Sequence, residues 1–239
     1  MRLAADVAGA EAGAWAGAKV GAVAGSVIPG AGNGGGAAVG AVAGAVLVGA
    51  AASYGAAYAV PVSPEALIQI QKSDIIVSPL GGSVSNSIAD NDNGSQSAGI
   101  DHNYVLTDLI KNNNNTSASS TSFDDMYNNV ALTNTQNYML PQLSTLGNTV
   151  FSSVSNCKST GDIKNVVSNT IDDENINTIN SSFLDGLDGF NDINSLTNYI
   201  NDYRNYIISS TLISNDEKQS ILQGLSVALS SGAFWSTYY

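Results

Sequence analysis

A row of glycines set four residues apart limits this chain more than any other feature. Gly9, Gly13, Gly17, Gly21 and Gly25 form one run. Gly36, Gly40 and Gly44 form a second, after which Gly49 and Gly55 fall out of step. Four-residue spacing places positions on one face of an α-helix. A face without side chains admits a second backbone at close range, the small-xxx-small arrangement of tightly packed helices. The i±4 ridge also favours a right-handed crossing. Glycine costs up to about 1 kcal/mol per interior helical site relative to alanine. So many glycines would defeat an isolated helix in water, and their regular spacing points to close packing.

Between the runs lies Pro29-Gly30-Ala31-Gly32-Asn33-Gly34-Gly35. Pro and clustered Gly punctuate helices. The pattern predicts a helix over 4–28, a tight turn and a helix over 36–60, packed as an antiparallel hairpin. Residues 1–60 hold 22 Ala and 14 Gly, and their charges cancel, with Arg2 and Lys19 against Asp6 and Glu11. The whole net charge of −12 therefore belongs to the remainder, which is rich in Asn, Ser and Thr. Pro61 and Pro64 suit a boundary, because Pro lacks a donor and turns its predecessor away from the helical region. The expected organisation is a glycine-zipper hairpin over 1–60, a linker or irregular segment over 61–99, and an acidic helical domain over 100–239. The fold class is mainly α: a Gly/Ala-rich antiparallel helical hairpin followed by a multi-helix domain.

The runs Gly9 to Gly25 and Gly36 to Gly44 resemble the glycine-zipper segments of bacterial outer-membrane-associated proteins and membrane-permeabilising bacteriocins. The resemblance covers roughly a quarter of the chain. It implies that these eight glycines are a helix-packing row, and that the partner is a membrane or another copy of the chain. A pore-forming toxin is a sub-case of that reading.

Gly36–Val60 runs 25 residues without a charge, and about 20 suffice to span a bilayer. Its strongly apolar residues are few, and Ala and Gly contribute little transfer energy. The first helix contains Asp6, Glu11 and Lys19. An ion at the centre of a membrane helix costs about 2.5–3.5 kcal/mol on insertion scales. Glu11 and Lys19 are separated by roughly 12 Å of helix rise, so neutralising them takes a partner helix or a second copy. Two readings follow. In the first, the chain is a non-enzymatic membrane-associating or self-assembling protein, membrane-associated or exported. In the second, it is a soluble helical structural or interaction protein with the zipper packed in its own core. Trp15, Tyr54 and Tyr58 are interfacial anchors in the first reading and gap-filling side chains in the second.

In the second part, residues 61–99 show little helical periodicity, and 83–99 read as loop. Tyr104, Val105, Leu106, Leu109 and Ile110 make an apolar face, as do Phe123, Met126, Tyr127 and Val130. Leu143, Leu146, Val150, Phe151 and Val154 continue the spacing after Pro141. Ile163, Val166, Val167 and Ile171 mark a helix capped by Thr160 or Asp162. Phe190, Ile193, Leu196, Tyr199, Ile200, Tyr203 and Ile207 trace a long amphipathic stripe. Ser214-Asn215-Asp216-Glu217 has the form of a capping box opening the last helix. These aromatics, and the terminal Phe234 and Trp235, read as core.

The inventory of reactive groups is short. One Cys, Cys157, excludes a disulfide scaffold, and with one His, His102, it excludes a Cys/His zinc site. The acidic charge excludes a basic nucleic-acid surface. His102, beside Asp101, reads as a surface or capping residue. Asp90-Asn91-Asp92-Asn93-Gly94 misplaces the glycine of a calcium loop. Asp172-Asp173-Glu174 suits a helix N-terminus, and Asp185, Asp188 and Asp192 a solvated face. No phosphate loop is present. Gly224 to Ala228 is a partial nucleophile-elbow pattern lying mid-helix. The expectation is no catalytic residue, no metal and no cofactor; a small-molecule ligand stays open.

Overall fold

The computed structural model describes residues 2–27, most of 41–56, 98–107 apart from 100, and 134–238 apart from 188, 189 and 191. The protein is mainly helical, and the described residues contain no strand. The named helices are α1 (Arg2–Val27), α2 (Asn134–Val154), α3 (Thr160–Thr170), α4 (Glu174–Leu187), α5 (Ile193–Ser209) and α6 (Asn215–Tyr238). The described residues of 41–56, here the second arm, are helical, and so are 98–107.

α1 lies at the centre. Ala4, Ala5, Asp6 and Val7 are all buried, and four successive positions span a full turn. A helix closed in on every side is an interior helix, in contrast to one with a single apolar stripe. Its neighbours are α6 above all, then α2, α3 and α4. One continuous core joins Ala4, Val7 and Ala12 to Val48 and Ala52 of the second arm, and on to Ile163, Phe183 and Leu225. Small residues of the first 60 and large ones after 140 thus share this core, while Ala14, Ala18, Ala41 and Ala45 gather in a smaller cluster with Val227 of α6.

The second arm runs antiparallel to α1. Gly9 lies against Val48, Gly49 and Ala52, whereas Gly13 lies against Gly44 and Val48. Gly55 brings the arm onto the backbone of Phe151 in α2. The expected turn over 29–35 and the ends of the second helix lie outside the described residues, as do Phe123 to Val130 and the Asp90 to Gly94 run.

The outer helices begin where local hydrogen bonding directs. α3 is capped by Ser159, not by Thr160 or Asp162. Ser159 Oγ accepts from the Asp162 N–H, and Asp162 accepts in return from the backbone of Lys158 and Ser159. Asp162 is therefore the far partner of a capping box. Ser214 and Glu217 form a second box at α6, where the Ser214 N–H donates to the Glu217 carboxylate over 2.6 Å. Asp192 caps α5 through the Ser195 N–H at 2.9 Å. Asp173 accepts from the Ile176 N–H to start α4.

Two expectations about boundaries need correction. α2 starts at Asn134 and carries Pro141 inside it. Proline removes one helical N–H and crowds the carbonyl four residues earlier, a cost of about 3 kcal/mol that this helix bears at an exposed position. Residues 98 and 99 are helical and buried rather than loop. Gly99 seats that turn against Ser226 and Ser230 of α6, so packing sets the boundary. α4 opens at the Asp172-Asp173-Glu174 run, as that acidic run suits, and Ile176, Asn180, Phe183, Leu184 and Leu187 give it a buried stripe that the sequence reading lacks.

Candidate functional site

Gly9, Gly13 and Gly44 of the glycine row stand at close helix contacts. A β-carbon built on Gly13 would lie within 2.6 Å of the Gly44 carbonyl carbon and 2.7 Å of Val48 Cβ. One built on Gly44 would lie 2.5 Å from the Gly13 carbonyl carbon and 3.2 Å from the Ala14 nitrogen. The two backbones touch where neither residue has a side chain. At Gly9 the Val48 carbonyl oxygen would be 2.8 Å away. Gly17 is buried, and Gly21 and Gly25 lie in α1. Gly36 and Gly40 lie outside the described residues.

Close to this contact is a buried polar knot. Asp6 is 0% exposed. Its carboxylate accepts from Ser53 Oγ of the second arm and Ser231 Oγ of α6. It also accepts from Trp235 Nε1 of α6 at 3.0 Å. A buried carboxylate is tolerated when donors surround it. Asp6 thereby ties three helices together at the point where α1 is most enclosed.

Lys19, the other charge at issue in α1, lies at the surface. It pairs with Asp172 at 2.5 Å, and Trp15 Nε1 donates to the same oxygen at 2.8 Å. The Lys19 ammonium stands 4.6 Å from the Trp15 ring centre. Asp172 sits between α3 and α4, so this clasp fastens α1 to their junction. Lys19 and Trp15 hold Asp172 low, at a pKa of about 2.

His102 is not a surface or capping residue. It is 0% exposed, with Nδ1 3.1 Å from Asn103 Oδ1, and Nε2 has no hydrogen-bond partner among the described residues. Burial lowers its pKa to about 4. Asp101 is buried as well, with neither carboxylate oxygen bonded among the described residues, and burial raises its pKa to about 6. The Asn103 side chain donates to the Ser230 carbonyl of α6 at 2.8 Å, so this segment is pulled inward with its polar residues.

Cys157 is buried, and its thiol is pushed up by burial and by Asp162. It is an inert thiol by the usual criteria of exposure and thiolate character. Among the described residues no three His, Cys, Asp or Glu side chains converge as a metal site. Asp185 pairs with Lys164 and Asp192 caps α5, so two of the three spaced acids have separate structural partners.

A groove of about 490 Å³ opens between α4 and α5. α4 supplies Thr178, Ile179 and Ser182, and α5 supplies Tyr199, Asp202, Tyr203 and Tyr206. Tyr199 and Tyr203 face the core as the stripe predicts, but they also line this open space. Their rings pack with Phe183 at centroid distances of 5.2 and 5.0 Å. The i, i+4, i+7 spacing of the three tyrosines was legible in the sequence; their partial exposure was not. No family model, curated protein or solved structure matches the chain.

Proposed function

We propose that this chain is a non-enzymatic helical interaction protein that keeps its glycine row inside its own fold. The contact of Gly13 with Gly44 carries this reading. A row occupied within one chain is not on offer to lipid or to a second copy. Asp6 supports the same reading, because its donors Ser53, Ser231 and Trp235 belong to the same chain. Withdrawing α1 would separate that carboxylate from its three donors, and a buried polar group left unpaired costs about 1–3 kcal/mol. Lys19 finds its counter-ion in Asp172, where a membrane reading needs one from outside. No helix among the described residues is long and apolar enough to cross a membrane. The non-enzymatic part rests on Asp101, His102 and Cys157, which are buried and do not converge with a nucleophile or base.

The test uses the full chain at pH 7.5, by light scattering and by flotation with neutral and anionic vesicles. The expected outcome is a monomer that stays at the bottom of the gradient. Gly17→Leu should destabilise that monomer without changing its assembly state. A chain that floats or oligomerises, and loses that behaviour in Gly17→Leu, would return the row to membrane association or self-assembly.

A further inference from the structure

We propose that the tyrosine groove between α4 and α5 binds an organic cation, an alkylated ammonium group, by its aromatic faces and the Asp202 carboxylate. The groove is independent of what the hairpin does. Two of its rings are fixed before any ligand arrives. Tyr199 Oη donates to the Phe183 carbonyl at 2.9 Å, and Tyr203 Oη is 2.8 Å from Ser182 Oγ. Their centroids lie 5.1 Å apart with the planes inclined at 59°, and Tyr199 is braced from behind by Phe183 and Phe190. Gly186 leaves the space that the Tyr199 phenol occupies. Tyr206 follows on the same side of α5 and is 56% exposed, an unusual position for a large ring.

The choice of ligand follows from which polar groups remain free. Tyr199, Tyr203 and Ser182 satisfy one another or the backbone, and Thr178 Oγ1 donates to the Glu174 carbonyl at 2.8 Å. A sugar would need such donors and acceptors turned towards it. Asp202 and the Tyr206 hydroxyl have no partner among the described residues, and no Lys or Arg is among the described residues lining the groove. The surface offered is therefore aromatic faces with one carboxylate, on a chain of net charge −12. Aromatic faces carry negative potential and attract cations within about 6 Å of the ring centre. An anion would be repelled, and a plain hydrocarbon would leave Asp202 unused. The volume lies within the roughly 300–1,000 Å³ of small-molecule sites.

The experiment titrates the full chain with choline and with its uncharged isostere, 3,3-dimethylbutan-1-ol, by calorimetry at constant ionic strength. Methyl glucoside is a third arm. Choline should saturate and bind about tenfold more tightly than the alcohol. Tyr206→Ala and Asp202→Asn should each weaken it by roughly three- to thirtyfold, with circular dichroism unchanged because both side chains face solvent. Tyr203→Phe keeps the face and should stay within about twofold. Equal binding of the alcohol, preferential binding of the glucoside, no saturation by about 50 mM choline, or full affinity in Tyr206→Ala would each overturn the proposal.

Discussion

Single residues decide the packing of this protein through what they lack. At Gly13 a methyl group would enter the backbone of Gly44, which has no rotamer to give. Gly13→Ala should therefore destabilise the chain by about 1–3 kcal/mol in urea melts, despite a gain of up to about 1 kcal/mol in helix propensity. Gly161→Ala is the control, because the nearest atom there is Ser159 Oγ at 3.6 Å. It should be neutral or stabilising by up to about 1 kcal/mol. Asp101 and His102 make an opposed pair. Burial raises Asp101 to about 6, so its ionised form weakens the fold above that pH, and the penalty fades as pH falls from 6 towards its unfolded value. Burial lowers His102 to about 4, so protonation favours the unfolded chain as pH falls from about 6.5 to 4. The two effects offset one another over nearly the same window. Asp101→Asn should raise the urea midpoint relative to the parent at pH 7.5, with the advantage shrinking below pH 6. His102→Gln should show no acid-dependent difference above pH 7 and a growing advantage from 6.5 to 4. Parallel curves for parent and both variants would show that neither group is buried as described.

At the scale of elements, the helix starts carry the clearest local signals. The Ser214 box was legible because Ser and Glu three residues apart have few other uses ahead of an apolar run. At α3 the same chemistry was misassigned by one position. Thr160 and Asp162 are both good capping types, and only backbone geometry shows Ser159 as the residue outside the helix. Ser214→Ala and Ser159→Ala should each cost about 1 kcal/mol, read as a shift in urea midpoint with an unchanged slope. The apolar stripe of α4 is harder to read than its acidic start, because Asn, Ser and Thr dilute it and Asn180 occupies a buried position of it.

For the whole molecule, the decisive fact is that the hairpin is the centre rather than an appendage. α1 contacts α6 more extensively than any other named helix, and Asp6 links them. Asp6→Ala should cost about 1–3 kcal/mol by stranding buried donors. The same change should alter the emission of Trp235, whose indole N–H loses its acceptor. A loss below about 1 kcal/mol would mean the knot is incidental. A chain lacking residues 1–60 should lose its cooperative melt, since Ile163, Phe183 and Leu225 share their core with Ala4 and Val7. Retention of a sharp transition by that fragment would show that the acidic helices form a core of their own.

The sequence by itself determined that the protein is mainly helical, that Gly9, Gly13 and Gly44 stand where helices meet, and that the arms run antiparallel. Those properties follow from short-range periodicity, turn residues and the volume of a missing side chain. It also placed the capping box at α6. Only the tertiary structure decided that Gly13 meets Gly44 of the same chain, that Asp6 is buried among donors from distant helices, and that Asp172 is the counter-ion of Lys19. It also decided that His102 is interior, and that tyrosines of an amphipathic stripe stand partly open to solvent. Each depends on partners more than forty positions away or on which flank of a helix the neighbours leave uncovered. Periodicity gives the direction in which a side chain points; the assembled fold decides what it meets there.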